Sequence, residues 1–437
     1  MRFVPVGLLF VSQLMFRERN FSEALSTPVD AWNVHRTVAV VLAAAIAGLY
    51  LAARGVPRRW PPALAFFACY LAVGVISLVH SSQLLYSCWK LTELLAALLV
   101  ALYALRQSAA DPSFAGRCYD LWLLFVRLLV ATAILGALVD PSAALTPPMS
   151  DELAAGFSGR PLLPVQLYGV LFIVNANTLG VLAAVLLFTD VMSALEERRA
   201  SLFRTLWLLA DAVVLVLAQS RTAWAASAVA AVLAVLFSRG IRPSRRFAVA
   251  SAASLAILLA RGYVVAYLTR GTTVEHMSAL TGRTEWWGTA IDVVNGAPLF
   301  QRLTGLGFVS ANRTILATLL DHGGAATLHS DYVDALVSTG YLGMGALALA
   351  VLAFCVSVFR AAWRDRGPRA FQFGSLTAIL VVRSFTGTTF AIYSDLVVAF
   401  LLVAVRVYVL GAERRALAPA APATGAFAPK TATPVLE

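Results

Sequence analysis

The sequence predicts an all-α, polytopic membrane protein, and three observations carry this reading. The 437 residues are 60% hydrophobic and 13% charged, against about 25% charged and 45–50% apolar in soluble domains. Mean hydropathy is +0.79. The apolar residues also recur in blocks near the roughly 20 residues needed to cross hydrocarbon, divided by arginine-bearing segments.

Twelve such blocks predict about twelve spans, at 3–16, 37–53, 61–79, 86–105, 119–139, 165–194, 205–219, 222–238, 247–268, 341–359, 371–391 and 393–410. The first is short and lacks a small-residue cleavage site, so it is expected to remain as a span. The sixth is long enough to tilt or to begin outside the bilayer. Lysine and arginine set the direction. With both termini in the cytoplasm, 21 of the 34 basic residues fall in cytoplasmic segments, 12 fall on the other side, and Arg127 stands alone inside a span. The net charge of +11 does not point to nucleic acid, because the arginines lie between apolar blocks rather than on one face. Cys69, Cys88, Cys118 and Cys355 lie in or beside spans and give no disulfide framework. Residues 1–410 read as one transmembrane domain. Residues 411–437 are Ala-, Pro- and Thr-rich and read as a disordered cytoplasmic tail.

One outer segment, 269–331, is far longer than its neighbours and contains Trp286, Trp287, Phe300 and Phe308. Long loops of that kind are functional or disordered, and the aromatic residues favour function. Four outer stretches could carry chemistry. In Gln219-Ser220-Arg221-Thr222-Ala223-Trp224 a tight reversal leaves Arg221 at the membrane face, with Ser220 able to cap the next helix. Arginine beside a helix N-terminus suits a phosphate; taken alone, Arg221 also fits a snorkelling anchor. In Leu280-Thr281-Gly282-Arg283-Thr284-Glu285-Trp286-Trp287 a short amphipathic helix begins, with Arg283 in its first turn and Asn295-Gly296-Ala297-Pro298 at its end. That helix is expected on the membrane surface. Arg283 alone also fits an exposed residue paired with Glu285 or Asp292. Gly305-Leu306-Gly307-Phe308 reads as a plain turn. In Leu328-His329-Ser330-Asp331-Tyr332-Val333-Asp334, Ser330 or Asp331 can cap a helix leading into the tenth span, and Asp331 and Asp334 could orient His329. An imidazole there is a plausible general base, or a surface histidine without a task. Within the spans, Lys90 and Glu93 are spaced to pair, and Arg127 and Asp211 could compensate each other.

No Asp-x-Asp motif, Cys/His cluster at metal spacing, Walker loop or Gly-x-Ser-x-Gly occurs. The economical expectation is a mechanism without metal or cofactor in which arginines balance phosphate charge.

Taken together, Asn175-Ala176-Asn177-Thr178-Leu179-Gly180, Ser-Arg-Thr-Ala-Trp at 220–224, Thr-Gly-Arg-Thr-Glu-Trp-Trp at 281–287, Gly-Leu-Gly-Phe at 305–308, His-Ser-Asp-Tyr at 329–332 and Gly-Tyr-Leu-Gly at 340–343 resemble the O-antigen ligase and Wzy-type polysaccharide polymerase family in content and order. One departure is Ser330, where many relatives carry asparagine after the histidine. The resemblance implies a GT-C-like membrane glycosyltransferase at the outer face of the bacterial inner membrane. Its donor would be a glycan on undecaprenyl diphosphate, and its acceptor lipid A-core or another carrier-linked glycan. It implies that Arg221 and Arg283 hold the diphosphate, that His329 is the base, and that Ser220, Thr222, Glu285 and Asp331 support them. Two other classes share the span count: a transporter or flippase, against which stands the lack of an internal repeat, and a non-catalytic partner of a polysaccharide export complex.

Overall fold

The computed structural model describes residues 2–17, 34–147, 163–197, 201–237, 251, 259–269, 283–319, 327–365 and 368–417. The helices of those residues are α1 (Val4–Val11), α2 (Val34–Arg54), α3 (Pro62–Ser77), α4 (Leu84–Ser108), α5 (Ser113–Val139), the single turn α6 (Pro141–Ala144), α7 (Ala176–Glu197), α8 (Leu202–Ala218), α9 (Arg221–Phe237), α10 (Arg261–Thr269), α11 (Arg283–Gly296), α12 (Leu299–Thr304), α13 (Ser310–Leu319), α14 (Asp331–Asp365), α15 (Pro368–Thr386) and α16 (Asp395–Leu417). A two-stranded antiparallel ribbon pairs Leu145–Thr146 with Gln166–Leu167. The protein is an all-α, multi-pass membrane protein. Among the described residues seven helices are long and apolar enough to cross a bilayer: α2, α3 with the 3-10 turn that follows it, α4, α5, α7, α14 and α16. Helices α8 and α9, at 17 residues each, and α15, at 19, approach the same length.

The helices carry the inside-out patterning of a bilayer protein. On α8 the apolar residues Leu202, Leu206, Leu209, Val213 and Val216 are exposed at helical spacing, while Asp211, Val214, Leu215 and Ala218 are buried on the other side. Helix α16 is the axis of the bundle. Every residue from Asp395 to Val405 is buried, and the helix packs on α4, α5, α14 and α15.

Some expected spans take a different form. The first is helical for only 8 residues, about 12 Å of rise. It still passes from one end of the bundle to the other. The Tyr103 hydroxyl, near the end of α4, donates to the Arg2 carbonyl at 2.8 Å, and His35, at the start of α2, meets the Leu14 carbonyl at 2.7 Å. Non-helical backbone survives at this depth because it is covered by protein: Ser12 is fully buried and bonded to the Tyr393 hydroxyl at 2.7 Å. The first part of the sixth block is not helical. It forms the ribbon and the Gly169–Val174 bridge, and α7 begins only after Asn175, whose side chain accepts from the Thr178 amide at 2.8 Å. Half of the ninth block, 247–250 and 252–258, lies outside the described residues. Helix α16 runs on to Leu417, into the segment expected as tail; 418–437 also lie outside the described residues. The expected Arg127–Asp211 compensation is not a direct ion pair, although Arg127 lies close enough to act on the Asp211 carboxylate. Arg127 pairs with Asp190 instead, and both carboxylate oxygens of Asp211 have no hydrogen-bond partner among the described residues.

Helices α2 and α4 run parallel, with Arg36 meeting Glu93 at one end and Arg106 meeting the Arg54 carbonyl at the other. The second end gathers the arginines of the short connections: Arg58, Arg59, Arg106 and Arg414 line one cleft, and Arg360 and Arg364 line its neighbour with Arg414. The first end carries α11–α13 and the site.

That end is locked by two glycine turns packed backbone to backbone. Gly340, at φ 64° and ψ −170°, breaks α14 into two helices. A Cβ there would stand 2.4 Å from the Leu303 carbonyl, and one on Gly305 would stand 2.3 Å from the Ser338 oxygen. The kink frees the Val337 carbonyl, which accepts from the Leu306 amide at 2.9 Å. Gly340→Ala is therefore expected to destabilise the protein by about 2–4 kcal/mol, through a glycine-only conformation and a backbone clash. Thermal unfolding in detergent checks this; an unchanged midpoint would contradict it.

Candidate active site

The reversal between α8 and α9 places Arg221. Helix α8 ends because Gln219 turns left-handed at φ 47°, a conformation that side chains other than glycine seldom adopt. Its amide group donates to the Val165 carbonyl at 2.6 Å and the Leu163 carbonyl at 3.3 Å, and Gln166 returns a bond to the Ala218 carbonyl at 2.6 Å. Ser220 then caps α9 by accepting from the Ala223 amide at 3.2 Å. Arg221 is the first residue of that helix, where the orphan amides carry partial positive charge. Its guanidinium donates to the Thr269 carbonyl at 3.1 Å, at the end of α10.

Three further elements meet it at the C-terminal end of α15. The hydroxyls of Thr222 and Thr386 are 2.8 Å apart. The Thr386 carbonyl accepts from Arg283 at 2.8 Å. Arg383, one turn earlier on α15, donates to the Asn177 carbonyl at 3.2 Å and the Thr178 hydroxyl at 2.9 Å. The last carbonyls of a helix favour cations, so α15 is a natural post for these groups.

His329 sits just before α14 on a strained backbone, at φ 56°. The strain is held from both sides of Leu328. The Leu328 amide donates to Asp334 at 2.9 Å, and its carbonyl accepts from the Trp287 indole at 2.8 Å. Asn312 donates to the same Asp334 oxygen at 2.9 Å. Burial, with Arg283 and then Arg383 nearby, pushes the His329 imidazole down to about 3. At neutral pH the ring is uncharged and one nitrogen is open to a proton.

Asp331 takes a different part from the orienting one expected. Its carboxylate is fully buried and accepts from the amides of Thr389, Phe390 and Ala391 at 2.8–3.0 Å. It ties the connection between α15 and α16 to the start of α14. Asp334, through Leu328, is the residue that fixes the histidine's backbone. Glu285 lies exposed in the first turn of α11. The apolar side of α11 packs on protein rather than lying open to the bilayer surface: Ala290 and Val294 are buried with Leu328, Leu336 and Val337. Thr281 and Gly282, which precede Arg283 in the motif, are outside the described residues.

The structure therefore brings Arg221, Thr222, Arg283 and His329 to one end of the bundle with Ser220 beneath them, and adds Arg383, Thr386, Trp287 and Asp334. An intramembrane arginine is a functional pointer by default, so Arg383 was visible in the sequence, but its partners lie some two hundred residues away. Chemically, the arrangement is a cluster of fixed guanidinium groups beside a neutral base.

The fold is that of a multi-pass membrane protein, and its likeness to a known family supports an O-antigen ligase or polymerase type. Residues 205–348 match the family model described as O-antigen ligase. The segment takes in Arg221, Arg283 and His329 and stops short of Arg383. No curated protein matches the chain.

Because Arg283 helps to keep the imidazole neutral, Arg283→Gln is expected to raise the His329 pKa from about 3 toward its ordinary value of 6.5. In the variant the ring then gains a proton as pH falls through a higher value than in the wild type. Histidine NMR titration of the detergent-solubilised protein reads this; an unshifted His329 resonance would contradict it.

Proposed function

We propose that the protein transfers a glycan from an undecaprenyl-diphosphate carrier to a hydroxyl of lipid A-core, as an O-antigen ligase at the periplasmic face of the bacterial inner membrane, with both termini cytoplasmic. The observation that carries this reading is the meeting of Arg283 and of Thr222, the neighbour of Arg221, at the end of α15, next to a histidine held neutral. The positive-inside bias supports the orientation, since arginines line the opposite end of the bundle.

Arg221 and Arg283, with Arg383 beside them, hold the diphosphate. His329 accepts the proton of the acceptor hydroxyl as its oxygen attacks the anomeric carbon. The bond from that carbon to the diphosphate breaks, and the electron pair leaves on the carrier phosphate, where the arginines stabilise it. A single displacement inverts the anomeric centre. The diphosphate is already an activated leaving group, so neither ATP nor a metal is required. Binding also tunes the base. The anion offsets the charge of Arg283 and Arg383, which lowers the His329 pKa in the free protein, so the imidazole becomes more basic when donor is present. The carrier's prenyl chain lies between spans. A polymerase joining carrier-linked repeat units would use the same machinery with a different acceptor.

Arg221→Ala, Arg283→Ala and His329→Ala are each expected to reduce transfer by about 10²–10⁴-fold while the protein inserts normally. Decoration of lipid A-core on gels of a complemented deletion strain measures this; near-normal ladders from all three variants would overturn the proposal. The deletion itself separates the acceptors. Bare lipid A-core with carrier-bound chains indicates a ligase, and single surface repeat units indicate a polymerase.

A further inference from the structure

A second cationic centre stands at the same end of the bundle, and glycan transfer as described gives it no task. Glu93 on α4 is fully buried, and two cations close on its carboxylate: Arg36 from the first turn of α2, at 2.9 Å, and Lys90, at 2.9 Å. The Arg313 guanidinium of α13 lies 4.9 Å from the Tyr86 ring centroid, and the Lys90 ammonium 5.6 Å from the same centroid. Among the described residues, one carboxylate thus answers two cations in direct contact. Burying charge is costly unless it is matched, and a structural pair needs only one cation per carboxylate. The side chains of Arg36 and Lys90 keep 19% and 14% of their surface accessible while Glu93 keeps none. The surplus charge is the part that faces outward.

This centre shares two walls with the active site. The Arg36 guanidinium is 5.9 Å from the Tyr393 ring. Tyr393 belongs to the α15–α16 connection, which begins beyond Thr386 and gives three amides to Asp331. Asn312, the neighbour of Arg313, donates to Asp334, which holds Leu328 beside His329. The approach to the centre is apolar. On α2 the side chains of Val34, Val38, Val41 and Leu42 are exposed beside Arg36, and Leu84 and Leu85 are exposed at the start of α4. An anion reaching these cations along that surface comes on a lipid.

We propose that Arg36 and Lys90 bind a phosphoryl group of the acceptor lipid, and so place the acceptor hydroxyl against His329 while Arg221 and Arg283 hold the donor. This rests on the transfer reading, which requires two lipid substrates at one site. A planar guanidinium fork beside a mobile ammonium suits the oxygens of a phosphate. Glu93 is a positioning residue that keeps the two cations together between turnovers. Ligase and polymerase acceptors are both phosphorylated lipids, so the assignment does not depend on that choice.

The test is equilibrium binding to the full-length protein in phosphatidylcholine nanodiscs. The probes are lipid A bisphosphate, the same lipid with its phosphates removed, and undecaprenyl diphosphate. The wild type is expected to bind the bisphosphate about ten-fold or more tighter than the phosphate-free lipid. Arg36→Gln and Lys90→Gln lose that preference, Lys90→Arg keeps it, and Arg221→Ala keeps it. Undecaprenyl diphosphate shows the reverse pattern, weakened by Arg221→Ala and retained by the Arg36 and Lys90 variants, which also reports that they are folded. The double variant Lys90→Gln/Glu93→Gln leaves no lone buried carboxylate and is expected to lose the preference too. Bisphosphate binding that is unchanged in Arg36→Gln and Lys90→Gln, or a preference lost only in Arg221→Ala, overturns the proposal. Binding is read without turnover, so a protein that transfers no glycan would defeat the transfer reading through its own assay and leave this result interpretable.

Discussion

The C-terminal turn of α15 is where the site is joined. Thr386 lends its carbonyl to Arg283 and its hydroxyl to Thr222, the neighbour of Arg221, while Arg383 leaves the same helix one turn earlier toward α7. Helices from distant parts of the chain thus bring like charges to one place. Like charges repel strongly where water is scarce, and here backbone carbonyls hold them: those of Thr269, Thr386 and Asn177 accept from Arg221, Arg283 and Arg383 respectively. Carbonyl dipoles thus help to fix the guanidinium groups in position.

The same logic explains His329. Burial opposes protonation of the imidazole, and the arginines beside it oppose it further, so the ring is held neutral. Its placement depends on parts that are themselves rigid. The two glycine turns at Gly305 and Gly340 press α12 onto the break in α14, and Asp334, Asn312 and Trp287 clamp the residue before the histidine. A base on a strained backbone position keeps its geometry only when the surroundings over-determine it. Here an acidic side chain, an indole and an amide share that task.

Much of this was legible in the sequence, and the failures have physical causes. Hydropathy marked the bundle, since a bilayer demands long apolar helices. Local chemistry marked the Ser220 cap and the Lys90–Glu93 pair, because both depend on neighbours three residues apart. Hydropathy could not tell a helix from covered irregular chain, so the first block, expected as a short span, is helical over only part of its length, and the sixth was expected to be helical where it forms a ribbon. Spacing could not assign partners across the bundle. Arg127 meets Asp190 rather than Asp211, and Asp331 binds backbone amides of 389–391 rather than serving the histidine. Arg383 escaped for the same reason: nothing near it in sequence reveals Asn177 and Thr178 as its partners.

We propose that Arg221 and Arg283 receive the diphosphate with His329 alongside. The most direct measurement is an electron cryomicroscopy structure of the protein with undecaprenyl diphosphate. Diphosphate density is expected within hydrogen-bonding distance of Arg221 and Arg283, beside the His329 ring, with the prenyl chain between helices. Diphosphate density elsewhere, with Arg221 and Arg283 still bound to the carbonyls of Thr269 and Thr386, would contradict it.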